Sequence, residues 1–438
     1  MRVAIVGSGI AGLAAAHHLR NWAHVTLFEA NGYFGGHTHT VDVTLPTAGG
    51  MVTDGVDTGF LVLNERTYPQ LIALLAELAV ATAPAHMSFS VQVSGSGRAK
   101  TLEWSGSSLT SLFAQPGNLV RPEFWRMLRD IGRFNSLTTR IADNGQERQM
   151  QQPLGDFLRQ HRFSDAFCNW YFLPMMGCIW SCPTEQMLRF PVATMIRFCH
   201  NHGLLQVTNR PQWHTVRGGA RHYVDKIVAQ IDDKRLNTPV LAVERNPGAV
   251  RITTQGGAEV FDHVVMATHS DQTLALLRDA TPAEHEVLGA IRYHPNRAIL
   301  HTDASVLPSR KAAWAAWNYQ RAAAPNNPRD RADGQVCLHY LLNLLQPLPW
   351  RQPVLVSLNP LCDIAPEHVL GRFDYQHPVF DLAAIEAQGK LAALQGFGGT
   401  QFCGAWTGYG FHEDGLKSGL AAARRILQQA GSNQRQAA

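Results

Sequence analysis

The residues most suited to chemistry lie at the start of the chain. Gly7-Ser8-Gly9-Ile10-Ala11-Gly12 follows the apolar run Arg2–Val6, and Ala11 to Arg20 reads as a helix. A glycine loop that ends a strand and opens a helix is the setting of a dinucleotide fingerprint. Gly7 permits the tight turn, Gly9 lets the backbone approach a pyrophosphate, and Gly12 lets helix and strand pack closely. The first helical residues, Ile10 and Ala11, offer free N–H groups and a partial positive charge to phosphate. Val25-Thr26-Leu27-Phe28-Glu29 reads as the second strand of a βαβ unit. Glu29 at its end is placed to accept hydrogen bonds from a ribose.

The residues after Glu29 narrow the dinucleotide. Glu29-Ala30-Asn31-Gly32-Tyr33-Phe34-Gly35-Gly36-His37-Thr38 resembles the segment that follows the fingerprint in flavin amine oxidases, phytoene desaturases and protoporphyrinogen oxidases. The resemblance implies FAD, with Gly35, Gly36 and His37 along the pyrophosphate and Ala30 beside the ribose-binding acid. His37 stands where that superfamily usually has arginine. A neutral imidazole donates one hydrogen bond and brings no charge. Val56-Asp57-Thr58-Gly59-Phe60 resembles the loop beside the isoalloxazine ring, which implies Thr58, Gly59 and Phe60 as flavin contacts. Val240 falls where the family's backbone holds the adenine. Val264 to His269 is similar to the strand that returns to the FAD domain.

Gly404-Ala405-Trp406-Thr407-Gly408-Tyr409-Gly410-Phe411-His412-Glu413-Asp414-Gly415 resembles the C-terminal flavin motif, in which an acid contacts the cofactor. The motif does not distinguish Glu413 from Asp414. Two side chains are candidates for catalysis: Arg297, on a strand that roughly matches the one carrying a lysine in many amine oxidases, and His412, facing the flavin. Asn64 and Tyr68 are weaker candidates. Cys403 lies near the closing motif but not where the family's covalent attachment falls, so the FAD is expected to be noncovalent. The closer likeness, over Val56 to Pro69, Phe124 to Phe134 and Trp170 to Pro191, is to a bacterial amine-oxidase-like branch. A furan fatty acid desaturase belongs to that branch, and some members accompany enzymes of cyclopropane and methylated fatty acids.

The elements that must hold these residues are spread along the chain. The fold expected is α/β: a doubly wound, Rossmann-like FAD-binding domain with an interleaved mixed α+β substrate domain. The first is assigned residues 1–70, 205–290 and 395–438; the second, residues 71–204 and 291–394. Tyr68 to Val80 reads as a helix, Ser88 to Trp104 as a hairpin turning at Ser94-Gly95-Ser96-Gly97, and Leu109 to His202 as helical. Cys337-Leu338-His339-Tyr340 and Ala298 to His301 read as strands, and the last helix begins near Leu416. No second dinucleotide fingerprint follows a strand and opens a helix. This favours a flavin reduced by substrate and reoxidised by oxygen or another acceptor.

Composition sets the bounds. The chain has 438 residues, 45% apolar and 16% charged, with a net charge of +4 and seven cysteines without framework spacing. Such a chain buries a large core, offers no basic footprint for nucleic acid, and fits a reducing, cytoplasmic setting. Cys178 and Cys182 read as buried thiols, and the scattered histidines predict no metal site. Arg121 to Arg140 carries Phe124, Leu128 and Ile131 at helical spacing beside Arg126, Arg129 and Arg133. This helix supports two readings: a domain helix with its apolar side in the core, or peripheral contact with an anionic membrane. The function expected is FAD-dependent oxidation or desaturation of an apolar substrate, a fatty acyl chain of a lipid. Two alternatives stand beside it: oxidation of a primary or secondary amine, and lipid binding without turnover.

Overall fold

A computed structural model describes residues 1–94, 101–181, 183–205, 211–321 and 336–436. Strand β1 (Arg2–Val6) is flanked by β2 (His24–Phe28) on one side and by the strand His263–Met266 on the other, all parallel. Asp233–Arg235 and Thr400–Phe402 complete a five-stranded parallel sheet. Val3, Ala4 and Ile5 are fully buried, as an unbroken apolar run requires when helices cover both faces. On one face lies helix α1 (Ile10–Leu19), packed against the closing helix His412–Gln436.

That helix pair depends on two glycines. A Cβ on Gly12 would sit 1.9 Å from the carbonyl oxygen of Gly7, and one on Gly419 would sit 2.0 Å from that of Ala11. The closing helix begins at His412, earlier than Leu416. The Asp414 carboxylate accepts from the backbone N–H of Tyr409 and Phe411 at 3.0 and 3.1 Å, which stabilises the turn that leads into the helix. Glu413 and Asp414 in its first turn also suit the positive end of the helix dipole.

The second sheet has seven strands, in the order Val369–Val379, Arg292–His301, Leu355–Leu358, Cys337–Leu341, Trp317–Arg321, Phe89–Val93, Leu102–Ser105. Phe89–Val93 and Leu102–Ser105 pair antiparallel, as a hairpin would; its expected turn at Gly95 to Gly97 lies outside the described residues. Helices between Pro122 and Asn201 form a separate aromatic core around Phe134, Phe167, Phe172 and Phe190. The first unit runs past residue 70, because helix α2 (Pro69–Glu77) packs Leu71, Leu74 and Leu75 into the same core as Val3, Ile5 and Leu13. It also gathers Ala384, Ala387 and Leu391 against Val6, Phe28 and Val264, ahead of residue 395.

The helix expected over Arg121 to Arg140 spans Pro122–Asp143. Its apolar side faces the protein: Phe124 is fully buried, and Leu128 and Ile131 pack against the core. The stripe proposed for a membrane is therefore consumed by packing. The long stretch of core beneath it leaves no unpartnered apolar face along those three residues.

The contact between α1 and the closing helix yields a test. Gly419→Val places side-chain atoms against the backbone of α1 and should cost about 1–3 kcal/mol by overpacking. The urea midpoint of the variant should fall accordingly. An unchanged midpoint would mean that the helices separate without cost.

Candidate functional site

The turn after β1 is built around Glu29. Gly7 has φ of 100°, and a Cβ there would lie 2.9 Å from the Ala267 carbonyl oxygen. Glu29 accepts from the Ser8 backbone N–H at 3.0 Å and the Ser8 hydroxyl at 2.5 Å. Its other oxygen accepts from the backbone and side-chain amides of Asn31, each at 2.9 Å. The Gly35 N–H in turn donates to the Ser8 carbonyl and hydroxyl oxygens at 3.1 and 3.2 Å. One carboxylate thus joins the fingerprint loop, the end of β2 and the Gly35-Gly36 turn. Sequence reasoning assigned Glu29 a ribose and missed Ser8 and Asn31.

These loops border a cavity of about 2130 Å³. Gly7, Gly9, Ile10, Ala11, Glu29, Ala30, Gly35, Gly36 and His37 line its nucleotide end, with Val240 nearby. A Cβ on Gly9 would meet nothing within 4 Å. Gly9 is also the N-cap of α1 and supplies no side chain to the helix's first N–H groups. Open space before an uncapped helix N-terminus fits a pyrophosphate. Gly12 does not line the cavity; its place is the close packing against Gly7.

The middle of the cavity holds Thr58, Gly59, Phe60, Trp406 and His412. The Phe60 N–H donates to the His37 carbonyl oxygen at 2.8 Å, and a Cβ on Gly59 would lie 2.3 Å from that same oxygen. Behind this loop Asp57 is buried, accepting from the Ala220 N–H, the Thr40 hydroxyl and the Gln346 amide. Burial pushes its carboxyl up to about 7. The His412 ring stacks on Phe60 with centroids 3.9 Å apart, and its Nε2 lies 2.6 Å from the Tyr223 hydroxyl. Burial lowers its imidazole to about 3, so it is neutral.

Sequence reasoning also missed a histidine cluster. His37 lies 5.3 Å from His377 and 6.4 Å from His269, ring centre to ring centre, and 5.0 Å from Tyr375. Burial, and then mutual repulsion, holds the His37 imidazole well below its ordinary range. Its buried Nε2 has no hydrogen-bond partner within the protein. That atom fits a site awaiting an acceptor, and the neighbouring imidazoles come from far along the chain, His269 from the N-cap of helix Ser270–Leu276 and His377 from strand Val369–Val379.

Three of the expected site residues are placed away from the groups around His412. Glu413 and Asp414 do not line the cavity. Both oxygens of Glu413 accept from the backbone N–H groups of Gln70 and Leu71, at 3.0 Å each, and so cap the start of α2. Asp414 serves the backbone of Tyr409 and Phe411, and burial raises it to about 6. Arg297 lies at the exposed rim, in register with Asp374 on the neighbouring strand, and is not packed among the buried groups around His412. Asn64 caps its own turn, accepting from the backbone of Arg66 and Thr67, whereas Tyr68 lines the cavity. Cys178 is buried, and Cys182 lies outside the described residues. Cys403 is buried behind the cavity, its thiol pushed up to about 12 by burial.

A βαβ dinucleotide fold with an open pyrophosphate cradle and a second, larger chamber defines a class of nucleotide-cofactor oxidoreductase folds. The particular family follows from sequence: residues 10–340 match the model of the flavin containing amine oxidoreductases, and the chain belongs to that family. A Mycobacterium tuberculosis protein, AofH, named for a flavin-containing monoamine oxidase, is 27% identical over 65% of this chain. The match spans 61% of the length of that relative. Among solved structures, cyclohexylamine oxidase from Brevibacterium oxydans superposes with a TM-score of 0.67 at 16% identity, covering 98% of this chain and 99% of that one. The fatty acid isomerase from P. acnes gives 0.66 at 16% identity, covering 97% and 98%. At such identities the likeness is one of fold.

Two tests follow from this geometry. Glu29→Ala removes a charged acceptor and the tie between three loops. It should weaken FAD binding by about 1.5–3 kcal/mol, roughly ten- to a hundredfold, read by flavin fluorescence on dilution. Undiminished affinity would show that the ribose is held elsewhere.

The second concerns pH. His412 has a folded pKa near 3, below the unfolded value of about 6.5. Its stabilising contribution is therefore full above about pH 6.5 and is lost as pH falls toward the folded value, because the unfolded chain binds the proton first. Asp57, raised to about 7, acts in the opposite sense, losing stability as pH rises from its unfolded value. Comparing wild type with His412→Gln cancels the Asp57 effect. The melting temperature of the variant should fall less steeply between pH 7 and pH 4, and parallel curves would contradict the assignment.

Proposed function

We propose that the protein is an FAD-dependent oxidoreductase whose substrate is apolar, a fatty acyl chain of a lipid. The observation that carries this reading is the form of the cavity. Ligand sites are usually ~300–1,000 Å³, and 2130 Å³ leaves a large chamber beyond the dinucleotide. Met87, Phe89, Trp104, Tyr171, Met175 and Ile179 border that chamber. An acyl chain gains about 0.8 kcal/mol for each CH₂ that it buries in such a lining.

The placement of charge supports the same reading. The carboxylates lining the cavity, among the described residues, are Glu29, Asp363 and Asp374. Glu29 is committed to the nucleotide end, and Asp363 and Asp374 are exposed, Asp374 in register with Arg297. No carboxylate among them faces the apolar chamber to hold an ammonium group. The Phe60–His412 stack at 3.9 Å leaves no gap between its rings for a nitrogen.

When bound, FAD would supply a two-electron sink, accepting hydride from a substrate carbon while the neighbouring carbon loses its proton to water and a double bond forms. The chain's part is positional. Phe60 and His412 close one wall, and neutral His412 is held in orientation by Tyr223. Reoxidation falls to oxygen or another acceptor.

A second reading is amine oxidation, favoured by the family and by the name of the mycobacterial relative. A third is lipid binding without turnover. Anaerobic mixing separates them: a micellar unsaturated or methylated phospholipid should bleach the flavin absorbance, and a panel of primary and secondary amines should not. Bleaching by amines alone would favour the second reading, and bleaching by neither the third.

A further inference from the structure

Among the described residues, four exposed large apolar side chains lie together around the start of the helix Pro122–Asp143, whereas others, such as Trp22, Met51 and Phe397, are scattered over the surface. Leu109 is 77% exposed, Leu119 50%, Val120 84% and Trp125 48%. They form one ridge. The Trp125 indole N–H donates to the Leu119 carbonyl at 2.9 Å, the Trp125 ring lies 5.7 Å from that of Phe113, and the Phe113 N–H donates to the Leu109 carbonyl at 3.1 Å. Adjacent large apolar side chains in the open mark an interaction surface.

The surroundings identify the partner. Arg121, Arg126 and Arg129 border the ridge on the helix side. Arg310 and Lys311 border it across the turn that contacts Leu109–Leu112. The acids nearby are Glu123, exposed in the same first turn, Glu103, buried and occupied by Ser309 and Arg310, and Asp130, buried and occupied by Arg133 and Ser164. Apolar side chains flanked by arginines match the headgroup and acyl layers of an anionic bilayer, where each basic group near the surface adds attraction.

The ridge also adjoins the cavity. Gly106 and Ser107 line the cavity and are themselves exposed, so it reaches the surface beside Leu109. The Arg121 guanidinium lies 6.0 Å from the centre of the Trp170 ring, next to Tyr171 in the cavity wall. We propose that Leu109, Leu119, Val120 and Trp125, with Arg121, Arg126 and Arg129, form a docking surface for an anionic lipid bilayer, set so that an acyl chain passes from the membrane into the cavity. The surface is distinct from the Phe124, Leu128 and Ile131 stripe, which is packed inside. The transfer step rests on the acyl-substrate reading; the docking itself does not.

The test is flotation of the full-length, FAD-loaded protein with vesicles of phosphatidylcholine alone or mixed with phosphatidylglycerol. The wild type should float with the anionic vesicles and release in high salt. Leu119→Asp with Val120→Asp, two exposed positions whose change leaves the flavin spectrum and melting temperature intact, should abolish flotation. Arg121→Gln, Arg126→Gln and Arg129→Gln together should weaken it by on the order of tenfold or more. Three results would each overturn the proposal: no flotation of the wild type, equal flotation of the Asp variant, or equal binding to neutral vesicles. A concentration-dependent dimer lost in the Asp variant, without vesicle binding, would assign the ridge to a second copy of the chain instead. Flotation without flavin bleaching by lipid would leave the surface standing and remove the acyl substrate; bleaching by micellar lipid without flotation would do the reverse.

Discussion

Glu29 and Ser8 hold the nucleotide end of the site together, and much of the remaining structure depends on that node. The carboxylate accepts four hydrogen bonds from Ser8 and Asn31, and Ser8 accepts the N–H of Gly35. The bonds from Ser8 to Glu29 and from Gly35 to Ser8 cross between segments that are separate in sequence, and those from Asn31 fill the other carboxylate oxygen locally. Because a buried carboxylate is costly unless its lone pairs are filled, the node locks the fingerprint loop against the Gly35-Gly36 turn. That turn delivers His37, whose carbonyl receives the N–H of Phe60. The position of the Thr58–Phe60 loop is thereby set through three loops from one acid.

Close helix packing gives this node its rigidity. Without side chains on Gly12 and Gly419, α1 lies against its own turn and against the closing helix. The closing helix brings His412 to Phe60 and Tyr223, while Glu413 ties it to α2. Neighbouring residues of one motif therefore do different work: His412 faces the cavity, and Glu413 and Asp414 turn inward to satisfy backbone donors. An acid in a cofactor motif serves the cofactor only if the local backbone leaves it free, and here the free N–H groups of α2 claim it.

The electrostatic character of the site is unusual for its purpose. His37 sits with His269 and His377 in a space that disfavours protonation. Dinucleotide phosphates would then be met by helix N–H groups and neutral donors, with little full positive charge. Among the described residues, the formal charges lining the cavity away from Glu29 are those of the exposed Arg297, Arg372, Asp363 and Asp374.

The sequence by itself determined the elements whose signal is local. Arg2–Val6, the glycine loop and the helix after it follow from residue type and order, because a parallel strand reads as an apolar run and a close approach reads as glycine. The same locality made Gly9, Glu29 and the Gly35-Gly36 pair legible, and gave the α/β class. Tertiary structure alone decided what depends on partners far along the chain. The histidine cluster joins residues 37, 269 and 377, and no local pattern announces it. The fate of Glu413 turned on the start of α2, some 340 residues earlier. The basic helix showed the same limit: helical spacing correctly placed an apolar stripe on one side, but only packing could say that the stripe faces inward and that the exposed ridge lies before it. Periodicity defines a face, and the neighbours that a face meets are a property of the whole fold.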